Sequence, residues 1–213
     1  TLDFEGILKK ANEALVEITL QSQQQATTLQ VQNVELKKQA TTDALTGLAN
    51  RATFDQFMGE HFSSAIAEAK PIALLMLDVD KFKSINDKHG HPAGDQVLRV
   101  LGKLLRSAAR AQDLAARFGG EEMALILPGT TRATAAAIAE TIRRAVAAKP
   151  ITVNSNLPVS ITASIGVAAF EAGDPFREPA HLIKAADLAV YNAKHSGRNC
   201  VKVFSIKPKA AAA

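Results

Sequence analysis

The feature that most restricts the fold is an abrupt change of texture at Thr42. Up to that point the chain has no proline and one glycine, Gly6, and places Leu8, Leu15, Ser22, Leu29 and Leu36 seven residues apart. An apolar repeat of seven is the seam of a coiled coil. The companion positions Ala11, Ile18, Gln25, Gln32 and Gln39 begin apolar and turn polar, so the middle of the seam is weak and able to change register. A parallel dimeric coiled coil over residues 1–41 is favoured over an amphipathic helix lying on its own domain. The second would need a wider apolar stripe.

Beyond Thr42 helical and strand-like patterns alternate. Asn50–Ala69 reads as a helix, Ile72–Leu77 as a short apolar strand, Ala93–Ala111 as a helix and Leu125–Leu127 as a strand. Ala133–Ala148 is an alanine-rich helix that Pro150 ends. Val159–Val167 alternates with period two, the mark of a half-buried strand. His181–His195 is helical and Cys200–Phe204 closes the sheet. This order gives an α/β (α+β) sandwich over residues 42–205, with 206–213 expected as a disordered tail. A length of 213 residues suits one such domain plus an extension.

Hydrophobic residues make up 47% and charged residues 22%, enough apolar material for a real core and too much for a disordered chain. No window approaches the roughly 18 apolar residues of a membrane span and no leader opens the chain, so a soluble piece without membrane contact is expected. Starting at Thr1 and ending in Ala210–Ala213, it reads as excised from a longer protein. One cysteine, Cys200, rules out an internal disulfide and a thiol metal site and fits a reducing compartment, the cytoplasm. Residues 1–41 hold four lysines against five acids, leaving 21 basic and 16 acidic residues elsewhere. That excess is too small for a nucleic-acid stripe but suits a small polyanion if the basic residues converge.

Three clusters could carry chemistry. The apolar run Leu74–Leu77 ends in Asp78-Val79-Asp80. Charges at the end of a buried strand need a cation or hydrogen bonds, and magnesium prefers such oxygens. The stretch from Lys81 to Asp95 holds Lys81, Lys83, Lys88, His89 and His91, which can neutralise a polyphosphate. Its Asn86 and Asp95 can pair with a base edge, since an Asp accepts from the N1–H and amine of guanine and is rejected by adenine. Arg117-Phe118-Gly119-Gly120-Glu121-Glu122-Met123 reads as a hairpin tip that could return Glu121 to Asp78. Each cluster alone also fits an ordinary solvated surface: a capping turn, a polar loop with a helix entry, a soluble tip.

Together with Asp43-Ala44-Leu45-Thr46-Gly47-Leu48-Ala49-Asn50-Arg51 and Tyr191–Asn199, these clusters follow the order and spacing of the GGDEF-domain diguanylate cyclases, which the chain resembles from about Thr42 to Phe204. The resemblance implies a fold like the palm of nucleotide cyclases and polymerases, a mainly antiparallel sheet with helices on both faces. It implies GTP held by its guanine on Asn86 and Asp95, with the triphosphate near Lys83, His91, Lys194, Arg198 and the backbone of Phe82. It implies two magnesium ions, with manganese able to substitute, on Asp78, the carbonyl of Val79 and Glu121. Glu121 would take the proton from the ribose 3′-hydroxyl, with Glu122 and Asp80 as assistants. Two domains, each presenting one GTP, would make cyclic di-GMP across a homodimer held by the coiled coil, under control of an absent upstream region. Arg110 and Asp113 resemble the family's product-inhibition site, with Arg143 or Arg144 as a third arginine. Met123 replaces the usual Phe and is expected to pack rather than react. Two rivals stay open, an effector that binds cyclic di-GMP without catalysis and a coiled-coil scaffold that only binds nucleotide.

Overall fold

A computed structural model describes residues 4–153 and 157–205 and divides the chain into two compact units, Thr1–Thr41 and Thr42–Ala213. The tail expected at 206–213 lies outside the described residues. The first unit is one long helix, α1 (Phe4–Thr41). Leu15, Ile18, Leu29 and Leu36 of the heptad pattern are exposed on it, as are Val16, Leu20 and Val31. The side chains of Leu8 and Ala11 lie outside the description.

The second unit is built on a five-stranded sheet in the order β2-β3-β1-β6-β7. In chain order its elements are α2 (Arg51–Ala67), β1 (Ile72–Val79), α3 (Phe82–His89), α4 (His91–Ala108), β2 (Leu114–Arg117), β3 (Glu122–Pro128) and α5 (Arg132–Ala148). A two-stranded ribbon, β4 (Ile151–Val153) with β5 (Leu157–Val159), precedes β6 (Ala163–Phe170), α6 (Pro179–His195) and β7 (Val201–Val203). All pairings are antiparallel except β6 with β7.

Strand β1 is central, and period two explains why the sheet is covered on both sides. Leu74 and Met76 point into a cluster with Phe54, Met58 and Phe62 of α2 and Leu182 of α6. Leu75 and Leu77 point into a second cluster with Leu98, Leu101 and Leu105 of α4 and Ile142 of α5. Each fully buried side chain of this size contributes about 1.5–3 kcal/mol. Helix boundaries follow local capping: the Asn50 side chain accepts from the Thr53 N–H at 3.0 Å, and the Thr131 hydroxyl from that of Thr134 at 3.3 Å.

Two expectations are corrected. The polar stretch after Asp80 is not a loop but α3, because Phe82 and Ile85, three residues apart, bury one edge of it. Val159–Val167 is not one half-buried strand. It breaks between β5 and β6, and all eight residues of β6 are buried. There the Ser and Gly positions mark small side chains under packed helices rather than a solvent face, and Ser164 is wholly buried.

Candidate active site

The carboxylates meet at the carboxyl end of β1. The sheet register puts Asp78 opposite Glu122 of β3 and opposite Ser164 of β6. The Asp78 side chain is buried, and Lys194 of α6 donates to its Oδ2 at 2.6 Å. Burial pushes the Asp78 carboxyl above its ordinary value and the nearby charge of Asp80 adds to this, against the pull of Lys194 and Arg198. Glu121 and Glu122 are raised too, first by burial and next by the charge of Asp78, with Lys194 opposing. Three carboxylates thus crowd one ammonium group, a surplus of negative charge in a partly desolvated place.

Asp80, expected as an assistant to Glu121, is engaged within the fold. Its side chain accepts from Thr162 Oγ1 and Ser164 Oγ, both at 2.7 Å, and from the Asn199 N–H at 2.9 Å. It is a structural acceptor that ties β1 to β6 and to the turn after α6.

The hairpin between β2 and β3 carries Glu121. Neither Gly119 nor Gly120 has a positive φ, so this is not the turn for which paired glycines are usually chosen. Gly119 leaves room for the Glu122 carboxylate, which a Cβ there would displace from its place beside Asp78. Arg117 holds the tip: its Nη2 donates to the Gly120 carbonyl at 2.7 Å and its Nε to that of Gly119 at 3.1 Å. Arg117 Nη1 also pairs with Asp43 Oδ2 at 3.1 Å. Asp43 in turn accepts from the Thr46 N–H and hydroxyl at 2.8 and 2.7 Å. Burial raises the Asp43 carboxyl, but these hydrogen bonds and the Arg117 charge outweigh it and hold the group below its ordinary value. At the base of the hairpin Phe118 meets Phe54 edge-on and carries the Arg51 guanidinium 3.6 Å above its ring. Sequence reasoning gave Asp43, Arg51 and Arg117 no role; 74 residues separate Asp43 from Arg117, and no local pattern announces their pairing.

A second group lies between α3 and α4. Asn86 Oδ1 is a buried acceptor with no hydrogen-bond partner. It rests on Gly94, where a Cβ would overlap it, and the half-buried Asp95 follows in the chain. Phe82 is buried beneath Gly94, while Lys83 and His91 are exposed. Arg198 is exposed in the turn after α6, and Val79 is the buried last residue of β1. Among the described residues no group of three His, Cys, Asp or Glu side chains is poised as a metal cluster. The donors available are two or three carboxylates and main-chain carbonyls at the end of β1. Such hard oxygens suit magnesium completed by substrate phosphates, and the ammonium of Lys194 already seated on Asp78 shows that the place accepts a cation.

Arg110 and Asp113 lie apart, between α4 and β2. The Asp113 carboxylate is 1% exposed and takes Arg110 Nε and Nη2 at 2.9 and 2.8 Å as well as the Arg110 N–H. Arg110 Nη2 also reaches Thr130 Oγ1 at 2.8 Å, and none of these bonds uses Nη1. Arg143 and Arg144 are engaged elsewhere, both on Glu140, with Arg143 also on Asn199. Met123 is fully buried in β3.

Comparison with known proteins places this arrangement. The family model for the diguanylate cyclase GGDEF domain matches residues 40–200. Diguanylate cyclase DgcM of Escherichia coli K12 is 45% identical over 167 residues, 78% of this chain and 39% of that protein. The response regulator PleD of Caulobacter vibrioides is 44% identical over 164 residues, 76% of this chain and 36% of that protein. The crystal structure of the coiled coil and GGDEF domain of DgcB from Caulobacter crescentus in complex with c-di-GMP matches with a TM-score of 0.81 at 33% identity, over 89% of this chain and 99% of that one. The chain spans under half the length of these curated relatives. Among the described residues no helix is long and apolar enough to cross a membrane. With the carboxylates of β1 and the hairpin in register and the family model running through both, the chain belongs to the diguanylate cyclase, GGDEF-domain family.

Proposed function

We propose that this chain condenses two GTP into cyclic di-GMP with loss of two pyrophosphates, as a homodimer held by α1, in the cytoplasm where GTP is made. The observation that carries the reading is Asn86. A buried acceptor without a partner costs free energy unless a ligand supplies a donor. Beside it Asp95 adds a second acceptor, and the N1–H and exocyclic amine of guanine match the pair where adenine does not.

From that anchor the triphosphate extends toward Lys83, His91, Lys194 and Arg198 and the backbone at Phe82, which neutralise it. Asp78, the carbonyl of Val79 and Glu121 would hold two magnesium ions, or manganese in their place. When bound, these neutralise the triphosphate and make the 3′-hydroxyl more acidic. Glu121 takes the 3′-proton, the 3′-oxygen attacks the α-phosphorus in line, and pyrophosphate leaves with its charge met by the basic side chains. Burial, with the charges of Asp78 and Glu122 beside it, holds the Glu121 carboxyl above its ordinary value, which suits a proton acceptor, and Arg117 fixes the tip from which Glu121 reaches. One domain presents one nucleotide, so the exposed leucines of α1 supply the second domain at high local concentration. Cyclic di-GMP returns to Arg110, whose Nη1 is used by none of its hydrogen bonds among the described residues, and to Asp113, as a feedback inhibitor.

The test is incubation with GTP and magnesium, with pyrophosphate and cyclic di-GMP followed by chromatography and Glu121→Gln as control. Product from the wild type alone is expected. A dimer that binds cyclic di-GMP and makes none with either protein is an effector, and the proposal fails. Leucines at Ser22 and Gln25 lock the α1 seam and should change the rate; no change separates the seam from control.

A further inference from the structure

Helix α3 has a second functional face. Asn86 and Lys83 occupy one side, whereas Lys81, Ser84 and Lys88, spaced at three and four residues, fall on another. That other side lines a cleft of about 610 Å³, closed by the segment from β5 to β6 and by the turn after α6. The volume is that of a small-ligand site, which ranges over about 300–1,000 Å³. Lys81, Lys88 and Arg198 line it, and none of the three forms an ion pair among the described residues. The one carboxylate in the lining, Asp80, is already occupied by Thr162, Ser164 and the Asn199 N–H. The cleft therefore carries a net positive charge, three cationic groups against the one carboxylate of Asp80, together with the hydroxyls of Ser84 and Ser160.

The backbone singles out the same place. Of the four described non-glycine residues with positive φ, three line this cleft: Lys81 at 56°, Arg198 at 64° and Asn199 at 43°. Side chains rarely tolerate that conformation, and it persists where the surroundings over-determine it, as at ligand sites.

We infer that this cleft binds inorganic pyrophosphate, the leaving group of the reaction proposed above, on which the inference rests. Lys81 and Lys88 stand about 10 Å apart along the helix axis, a span that a two-phosphate anion bridges better than orthophosphate. Arg198 belongs to both faces: it meets the triphosphate on one side and lines the cleft on the other. Pyrophosphate drawn into the cleft leaves the nucleotide face of α3, which opposes reversal of the condensation.

The test is calorimetric titration of the whole chain with pyrophosphate, without nucleotide or metal, on wild type, Lys88→Glu and Asn86→Ala. The inference expects binding that weakens about tenfold in Lys88→Glu, the loss of one charge-assisted contact, and is unchanged in Asn86→Ala. Because Lys88 is exposed, its exchange leaves the fold intact, and Ser84→Asp on the same face should act in the same direction. Equal affinity in wild type and Lys88→Glu overturns the inference, as does orthophosphate binding as tightly as pyrophosphate. Wild type that binds pyrophosphate in this pattern yet makes no cyclic di-GMP from GTP sinks the cyclase reading and leaves the anion site standing.

Discussion

The two ends of one hairpin treat carboxylates in opposite ways. At the tip, Glu121 and Glu122 face Asp78 with one lysine between three negative groups, and all three are raised above their ordinary values, first by burial. At the root, Asp43 is held down by Thr46 and Arg117, each of its oxygens matched to donors. The completed pair fixes shape, and the incomplete cluster is where a ligand adds what the fold withholds. Stability is given up at one end and recovered at the other.

The largest effect that sharpens this contrast is Glu121→Gln. It should abolish cyclic di-GMP formation and yet raise the thermal midpoint, because one member of a crowded set loses its charge; a lowered midpoint would mean the cluster is already balanced. Next comes Arg117→Ala, which removes the clamp and leaves the half-buried Asp43 with Thr46 but without a cation beside it. It should cost about 1–3 kcal/mol in denaturant unfolding and lower kcat more than it raises KM, since the hairpin and not the neighbourhood of Asn86 and Asp95 is loosened. Asn86→Ala should weaken GTP binding about tenfold with the fold intact, whereas Gly94→Ala drives a methyl into the Asn86 carboxamide and should lose both affinity and about 1–3 kcal/mol of stability. If Gly94→Ala binds GTP normally, Asn86 is not the anchor.

The smallest effect is a divergence in acid. For groups raised in the folded state, that state binds the more protons between the unfolded and folded values, so their penalty is relieved as pH falls from neutrality through the folded values. For Asp43 the sign reverses: its contribution is full above the ordinary value of 3.8 and fades as pH falls through the depressed folded one. Thermal midpoints followed from neutral to acid pH should therefore rise slightly and then fall. Glu121→Gln should flatten the rise, and Asp43→Asn should remove part of the fall.

Much of this was legible in the sequence. An apolar run ending in Asp78 announced both β1 and a charged strand end, and the heptad spacing announced α1. What escaped depends on distance or on size. Asp43 meets Arg117 across 74 residues and Asp80 meets Ser164 across 84, so polar residues that looked like surface are in fact fastenings between elements. In β6 the alternation reflects smallness under the helices rather than polarity, and in α3 two buried residues are too few to show a helical period.

The segment before α2 closes one border of the sheet. The Ala49 N–H donates to the Ala115 carbonyl and the Arg117 N–H to that of Ala49, so this loop occupies the outer edge of β2. At the far side of the sheet β7 is only three residues long. Among the described residues neither border of this sheet offers a long row of open backbone groups to another chain. Copies of this domain crowded together would thus find little backbone on which to template strand on strand, and any contact between them would fall to side chains that can part again.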